Sequence, residues 1–205
     1  MPGRIERPEA FHRLLRLVAG QVGSVVNRAE WGALLGLSSG TIASYLSILQ
    51  DAHVLAIVPP FAGGKRSELT SRPKVFFVDC GLRNHLVGDL RPWEERTDRG
   101  PLLENQVLVE LLKSLPRDRT LHFWRSTSGA EVDFVIAGPG RPLAVEVKAS
   151  PLRRPSIPRA ARSFVEAYEP ERLVIVNTGL RREEALGSTR VLWVRPEELR
   201  GAVWG

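Results

Sequence analysis

Residues 131–148, EVDFVIAGPGRPLAVEVK, limit the fold more than any other stretch of this chain. Two runs with a period of two flank a Gly-Pro-Gly turn, the pattern of two strands closing a hairpin. Alternation places Val132, Phe134 and Ile136 on one face of the first strand, and Glu131, Asp133 and Val135 on the other. On the second strand Leu143, Val145 and Val147 share a face, and Ala144, Glu146 and Lys148 share the opposite one. A hairpin closed symmetrically about Pro139 and Gly140 sets Asp133 opposite Glu146 and Glu131 opposite Lys148; a slip of one residue would separate the two carboxylates onto different faces.

Facing carboxylates repel, and two arrangements answer the repulsion. The strands can be solvated and tied by cross-strand salt bridges such as Glu131 with Lys148. Alternatively a hard divalent cation, Mg²⁺ or Mn²⁺, can sit between the carboxylate oxygens. A water there could be activated against a phosphodiester, with Lys148 stabilising the developing charge or positioning the nucleophile. Spacing alone leaves both arrangements open.

Composition narrows the setting. A chain of 205 residues, 43% hydrophobic and 25% charged, can bury one sizeable core or two small ones. No apolar run approaches the length of a membrane span, and MPGRIERPEAFHRLL lacks the apolar segment of a secretory signal, so the expected setting is cytoplasmic. Cys80 is the only cysteine, which excludes an internal disulfide and a cysteine-based zinc site. Twenty-nine Lys and Arg against 23 Asp and Glu leave a net charge of +6, an excess that suits a polyanionic partner and equally an ordinary Arg-rich protein.

Charged, Pro- and Gly-containing residues in GDLRPWEERTDRGP interrupt the apolar periodicity and mark an exposed connection. A boundary near Arg91 gives two parts, 1–90 and 91–205. In the first, Phe11, Leu14, Leu15 and Val18 follow helical spacing, and Gly20 and Gly23 end that helix. Asn27 can cap a second helix with Glu30 three residues on, and after the turn GLSS a third apolar stripe runs through Ile42, Tyr45, Leu46 and Leu49. HVLAIV and KVFFVD then read as two strands around an exposed PPFAGGKRSELTSRP loop. Helix, tight turn, helix and hairpin together make a winged helix-turn-helix.

Two motifs in this part need weighing. GLSSG matches the G-x-S-x-G pattern of serine hydrolases, but a nucleophile elbow needs a strand before its serine, and here a helix precedes Ser38; the residue reads as a helix cap. The presumed recognition helix offers Ser39, Thr41, Ser44 and Ser47 to base edges, yet no Lys or Arg lies between Ala29 and Gly64 to hold phosphates. Basic residues appear only in the wing, at Lys65, Arg66, Arg72 and Lys74, which are the expected nucleic-acid contacts of this part.

The second part opens with the helix GPLLENQVLVELLKSL. Glu104 shares its apolar face, since Val107, Leu108 and Leu111 follow three, four and seven residues later. After LHFWR and the hairpin come a helix at RAARSFVEAY, a buried strand RLVIVN, a final strand VLWV and a short helix at PEELR. A helix between strands suggests a parallel crossover. Arg153 and Arg154, with Arg159 and Arg162 beyond them, follow the second hairpin strand and could guide a phosphate backbone, although solvated helix surface also accounts for them.

EVDFVI followed by AVEVK resembles the D…E-x-K core of the PD-(D/E)xK nuclease superfamily, in which a helix bearing a Glu precedes the strands. RPKVFFVDCGLRNHL, GPLLENQVLVELL, FWRSTSGAEVDFVI and LAVEVKAS together look like the uncharacterised domain found at the C-terminus of many prokaryotic AAA-type ATPases. The resemblance implies an α/β chain, α+β overall, with a small winged helix-turn-helix followed by a mixed-sheet, restriction-endonuclease-like domain. It implies metal ligation by Asp133 and Glu146 with help from Glu104, and catalysis by Asp133, Glu146 and Lys148. Val132 stands where the superfamily motif has Pro. No G-x-x-x-x-G-K-[ST] is present, so ATP binding by this chain is not expected. Two functions follow as expectations: a DNA-associated, Mg²⁺- or Mn²⁺-dependent deoxyribonuclease, or a non-catalytic docking module coupling an AAA-type ATPase to a protein or nucleic-acid partner.

Overall fold

In the computed structural model, which describes residues 5–63 and 72–205, the chain is mixed α and β, as expected. It divides into two compact units, one formed by Met1–Val58 with Arg72–Asn105 and the other by Pro59–Ser71 with Gln106–Gly205.

In the first unit, α1 (Pro8–Gly20) buries Ala10, Leu14, Val18 and Ala19 along one stripe. Asn27 caps α2 (Arg28–Leu35): its Oδ1 accepts from the Glu30 amide while its Nδ2 donates to the Glu30 carboxylate at 2.8 Å, a reciprocal cap made possible by the three-residue spacing. Gly36 ends α2 in the left-handed region at φ 64°. The next turn is tight because a Cβ on Gly32 would lie 2.5 Å from the Leu37 carbonyl oxygen. Ser38 caps α3 (Ser39–Asp51) by accepting from the Thr41 amide at 3.0 Å, the role expected of it, and the two helices turn through 102°. Trp31, Ile42, Tyr45 and Leu49 are buried.

Strands β1 (Leu55–Val58) and β2 (Lys74–Phe77) pair antiparallel, Leu55 opposite Phe77 and Val58 opposite Lys74. The segment between α1 and α2 runs along the other edge of β2: the Gly23 amide donates to the Val75 carbonyl and the Val26 amide to that of Pro73. All four residues of β2 are therefore buried. A helix not expected from sequence follows, α4 (Cys80–Val87), capped by the Asp79 side chain and closed by Gly88 at φ 71°. The segment after it is not wholly exposed either. Arg96 is buried and grips both Asp98 carboxylate oxygens at 2.9 and 2.8 Å, while buried Arg83 pairs with the same carboxylate and donates to the Ala19 carbonyl. Two cations on one carboxylate hold its pKa down at about 2, the Arg96 hydrogen bond contributing most.

Helix α5 (Arg99–Ser114) begins in the first unit. There the fully buried Asn105 amide mimics a peptide, accepting from the Phe77 amide at 2.8 Å and donating to the Phe77 carbonyl at 3.0 Å. It completes the hydrogen bonding of β2.

The second unit is built on one six-stranded sheet in the order β3-β4-β5-β6-β8-β7. Its strands are β3 (Thr120–Arg125), β4 (Glu131–Ala137), β5 (Leu143–Lys148), β6 (Arg172–Asn177), β7 (Arg182–Leu186) and β8 (Thr189–Val194). β3, β4 and β5 are antiparallel; β5, β6 and β8 are parallel. Helix α6 (Arg159–Tyr168) makes the expected crossover from β5 to β6 and buries Ala161, Phe164 and Val165 against Val135, Ala144, Leu173, Ile175 and Trp193. Residues 59–61 cover the β3 edge through hydrogen bonds on both sides of Phe123. The exposed edge strand β7, whose charged REEAL carries no apolar alternation, was not expected from sequence; Gly187 at φ 60° turns it back into β8. Helix α7 (Leu199–Trp204) lies against β6 and β8. Among the described residues no single helix is long and apolar enough to cross a membrane.

Asn105→Ala should lower unfolding stability by about 2–4 kcal/mol in urea denaturation, because it leaves a buried amide and a buried carbonyl of Phe77 without partners. Gln106→Ala on the exposed side of α5 should change it little.

Candidate functional site

The register of β4 with β5 is the one expected, Phe134 opposite Val145, Val135 opposite Ala144 and Ile136 opposite Leu143. Pairing between the strands stops at Phe134 and Val145. Beyond it the Asp133 carboxylate takes up the pairing, its Oδ2 accepting from the Val147 amide at 2.7 Å. On the other side of β4 the register with β3 shifts, because His122 faces Val135 but Trp124 faces Val132. Two β4 residues, Asp133 and Phe134, therefore oppose the single residue Phe123, which is a β-bulge. This corrects the strict alternation expected of β4. Val132 falls in the same apolar cluster as Val135 and Ala144 instead of sharing a face with Phe134 and Ile136, since the extra residue reverses the parity.

Glu146 stands on β5, paired with Ile175 of β6 and one residue past the end of the pairing with β4, and only 4% of it is exposed. Its Oε1 accepts from the Lys148 ammonium at 2.6 Å; its Oε2 is buried without a hydrogen-bond partner. Burial pushes its pKa up to about 7, and the negative charge of Asp133 and, more weakly, of Glu131 pushes the same way against the opposing Lys148 cation. Asp133, Glu146 and Lys148 are thus brought together. Glu131 lies at the margin, with its carboxylate 3.8 Å from Arg125. Mg²⁺ is commonly held by one or two carboxylates plus waters and substrate phosphates, so a buried carboxylate with an unused oxygen beside a second carboxylate is a donor set that fits it. Among the described residues no group of three or more His, Cys, Asp or Glu side chains could hold a metal ion.

The structure joins two residues that sequence assigned to different tasks. Glu104, expected on the metal, belongs to the first unit and accepts from the Lys74 ammonium at 3.0 Å. Lys74, expected on nucleic acid, is 3% exposed. A buried ammonium needs a carboxylate, and Lys74 is therefore withdrawn from the basic surface expected of the wing. Gly23 leaves room for the Glu104 carboxylate, which lies 3.1 Å from where a Cβ would stand. Arg72, Arg153 and Arg154 are exposed, whereas Lys65 and Arg66 lie outside the described residues. Sequence reasoning missed the Arg83, Arg96 and Asp98 network; its members are spread along a charged segment with no periodicity to reveal which cations turn inward.

Residues 2–92 match the model of a domain of unknown function, DUF8612, and residues 99–195 match that of a second one, DUF4143. Similar proteins include uncharacterised proteins of Mycobacterium bovis and Mycobacterium tuberculosis. Each is 33% identical over 176 residues, covering 84% of this chain and 39% of the relative. An uncharacterised protein of Haemophilus influenzae is 27% identical over 139 residues, 65% of this chain and 32% of the relative. The chain spans about two fifths of the length of the mycobacterial relatives. No solved structure matches it.

The raised Glu146 pKa carries a pH signature. Between its ordinary value of 4.5 and about 7 the folded chain keeps a proton that the unfolded chain has lost, so stability falls as pH rises through that window and is level above it. At about 1.4 kcal/mol per pH unit, the fall should reach roughly 3 kcal/mol. Denaturation in EDTA at pH 5 and pH 8 should show it, and Glu146→Gln should flatten the difference.

Proposed function

We propose that the second unit carries a divalent-metal-dependent phosphodiester-hydrolysis site on a nuclease-like sheet, and that the first unit is a winged helix-turn-helix that associates with DNA. The buried Glu146 carboxylate, with one oxygen unused beside Asp133 and Lys148, carries this reading. Burial of a carboxylate in the sheet is costly, and a structural role would be served better by an apolar residue at that position.

Asp133 and Glu146 would hold the cation. A bound Mg²⁺ or Mn²⁺ supplies Lewis acidity toward a phosphoryl oxygen and lowers the pKa of a coordinated water. Asp133 is kept in place by the Val147 amide, which donates to its Oδ2 and orients the carboxylate. Lys148 holds the Glu146 carboxylate through Oε1 and brings a positive charge to within reach of the phosphate that develops charge in the reaction. The exposed Arg153 and Arg154 follow directly after β5, where they would meet a nucleic-acid backbone by charge. In the first unit, the order of helices and strands and the 102° turn between α2 and α3 support the helix-turn-helix reading.

A second reading rests on a different observation. Ser39, Ser44 and Ser47 form an exposed polar row on α3 with no cation among them, and Lys74 is buried. Such a surface suits protein contact better than phosphate contact. More than half of each mycobacterial relative lies outside the match, which leaves room for an ATPase of the AAA type that this chain would couple to a partner.

Cleavage of single- and double-stranded DNA, together with Mg²⁺ and Mn²⁺ binding by calorimetry, separates the two. Asp133→Ala should abolish both cleavage and metal binding. Lys148→Ala should keep metal binding and lower cleavage by roughly a hundredfold, the loss expected from one preorganised electrostatic group. A native protein that neither binds the metals at millimolar concentration nor cuts DNA would give way to the docking reading.

A further inference from the structure

We propose that the second unit holds a site for a small phosphate-bearing ligand, in a cavity of about 400 Å³ lined by Arg172, Arg181 and Arg190. The register of the parallel strands places Arg172 of β6 beside Arg190 of β8. Like charges on adjacent strands destabilise a sheet unless something negative lies between them. Alternation puts both on the face opposite Glu146, because Glu146 aligns with Ile175 and Trp193 in the row covered by α6, whereas Arg172 and Arg190 belong to the alternate row that meets α7. The site is thus independent of the carboxylate pair.

The carboxylates beside these arginines are at the surface. Glu183 accepts from Arg190 at 2.9 Å, Glu198 from Arg181 at 3.0 Å, and Glu171 lies 3.5 Å from Arg172. They are 55%, 36% and 50% exposed, so these are screened pairs worth little and easily exchanged for another anion. Arg172 differs. It is 14% exposed and fixed by Nη1, which donates to the Ala202 carbonyl at 3.2 Å and the Val203 carbonyl at 3.5 Å. Its buried Nε makes no hydrogen bond but lies 3.5 Å from the Glu171 carboxylate, and its Nη2 makes no hydrogen bond among the described residues. A guanidinium held rigidly at a cavity wall with its Nη2 unused is a preformed half of an anion site.

Three forked cations converging on one cavity suit a phosphate monoester, which offers three oxygens and close to two negative charges, better than a single carboxylate. Leu192, Val194 and Ala202 also line the cavity and would take the apolar body of the ligand, while Glu198, which lines it as well, is the exposed partner of Arg181 that the phosphate would displace. The volume lies within the range of small-molecule sites.

Calorimetric titration in EDTA with inorganic phosphate and with a nucleoside 5′-monophosphate tests the proposal without reference to metal or cleavage. Sodium chloride of matched ionic strength and the nucleoside lacking phosphate serve as controls. Both phosphates should bind at one site in competition, the nucleoside should not, and Arg181→Gln and Arg190→Gln should each weaken binding by about tenfold or more. Arg172→Gln should abolish it. Because Arg172 also holds α7, the exposed Arg181 and Arg190 variants, checked for folding by circular dichroism, carry the decision. Heat no greater than that of the chloride control, or phosphate affinity unchanged in both of those variants, would overturn the site.

Discussion

A carboxylate buried on β5, where the pairing with β4 ends, is the constraint around which the second unit is arranged. Removing Glu146 from water disfavours its charge, and the neighbouring Asp133 disfavours it further. Lys148 offsets only part of this, through one oxygen. The local backbone bends to the same end. The bulge at Asp133 and Phe134 breaks the pairing of β4 with its neighbours where the two acids meet, and the Asp133 side chain takes the Val147 amide as a partner. Bulges of this kind re-aim side chains next to sites, and the broken ladder here lets the second carboxylate approach without losing the amide to solvent.

The first unit buries charge differently. Lys74 meets Glu104, and Arg96 and Arg83 together surround Asp98, with Asn84 and backbone carbonyls of Ala19 and Asp89 taking further donors. These groups are matched in sign and richly hydrogen-bonded, so they fix the packing of neighbouring elements. Around Glu146 the balance is different: the negative charges of Asp133 and Glu131 both disfavour its charged form, Lys148 opposes them, and Arg125 lies 3.8 Å from Glu131. Closed networks suit a structural role. The buried Glu146 oxygen without a hydrogen-bond partner is what sets the β4–β5 hairpin apart, and it is the observation on which the proposed metal site rests.

The parts of this fold that could be read in the sequence are those in which local chemistry and tertiary packing agree. Asn27 with Glu30 and Ser38 with Thr41 announce their helix starts, RAARSFVEAY and RLVIVN coincide with α6 and β6, and the symmetric Gly-Pro-Gly turn fixed the register that brings Asp133 to Glu146. What could not be read has physical causes. β7 is an edge strand stabilised by pairing with β8 alone, so its charged sequence lacks a buried face. α4 is short, with Arg83 its one buried residue, and its cap at Asp79 follows a strand without a break. The bulge depends on β3, which no periodicity within β4 reports. Glu104 lay on an apolar face as expected, but nothing local to α5 could reveal that Lys74, thirty residues earlier, would be its partner.

The sheet of the second unit also uses one device twice, with opposite signs. Alternation along β5 sets Glu146 on the α6 face near Asp133, and alternation along β6 and β8 sets Arg172 beside Arg190 on the other. Each juxtaposition costs stability in the absence of a counter-charge. Neither is required by the core, since Val145, Val174 and Val191 occupy adjacent positions without charge and are fully buried. The sheet thus holds like charges together on both faces, and on each face the ligand proposed above would relieve the repulsion. The two proposed ligands differ with the chemistry of the faces: carboxylate oxygens favour a hard cation, while a rigid guanidinium at an open cavity favours an oxyanion.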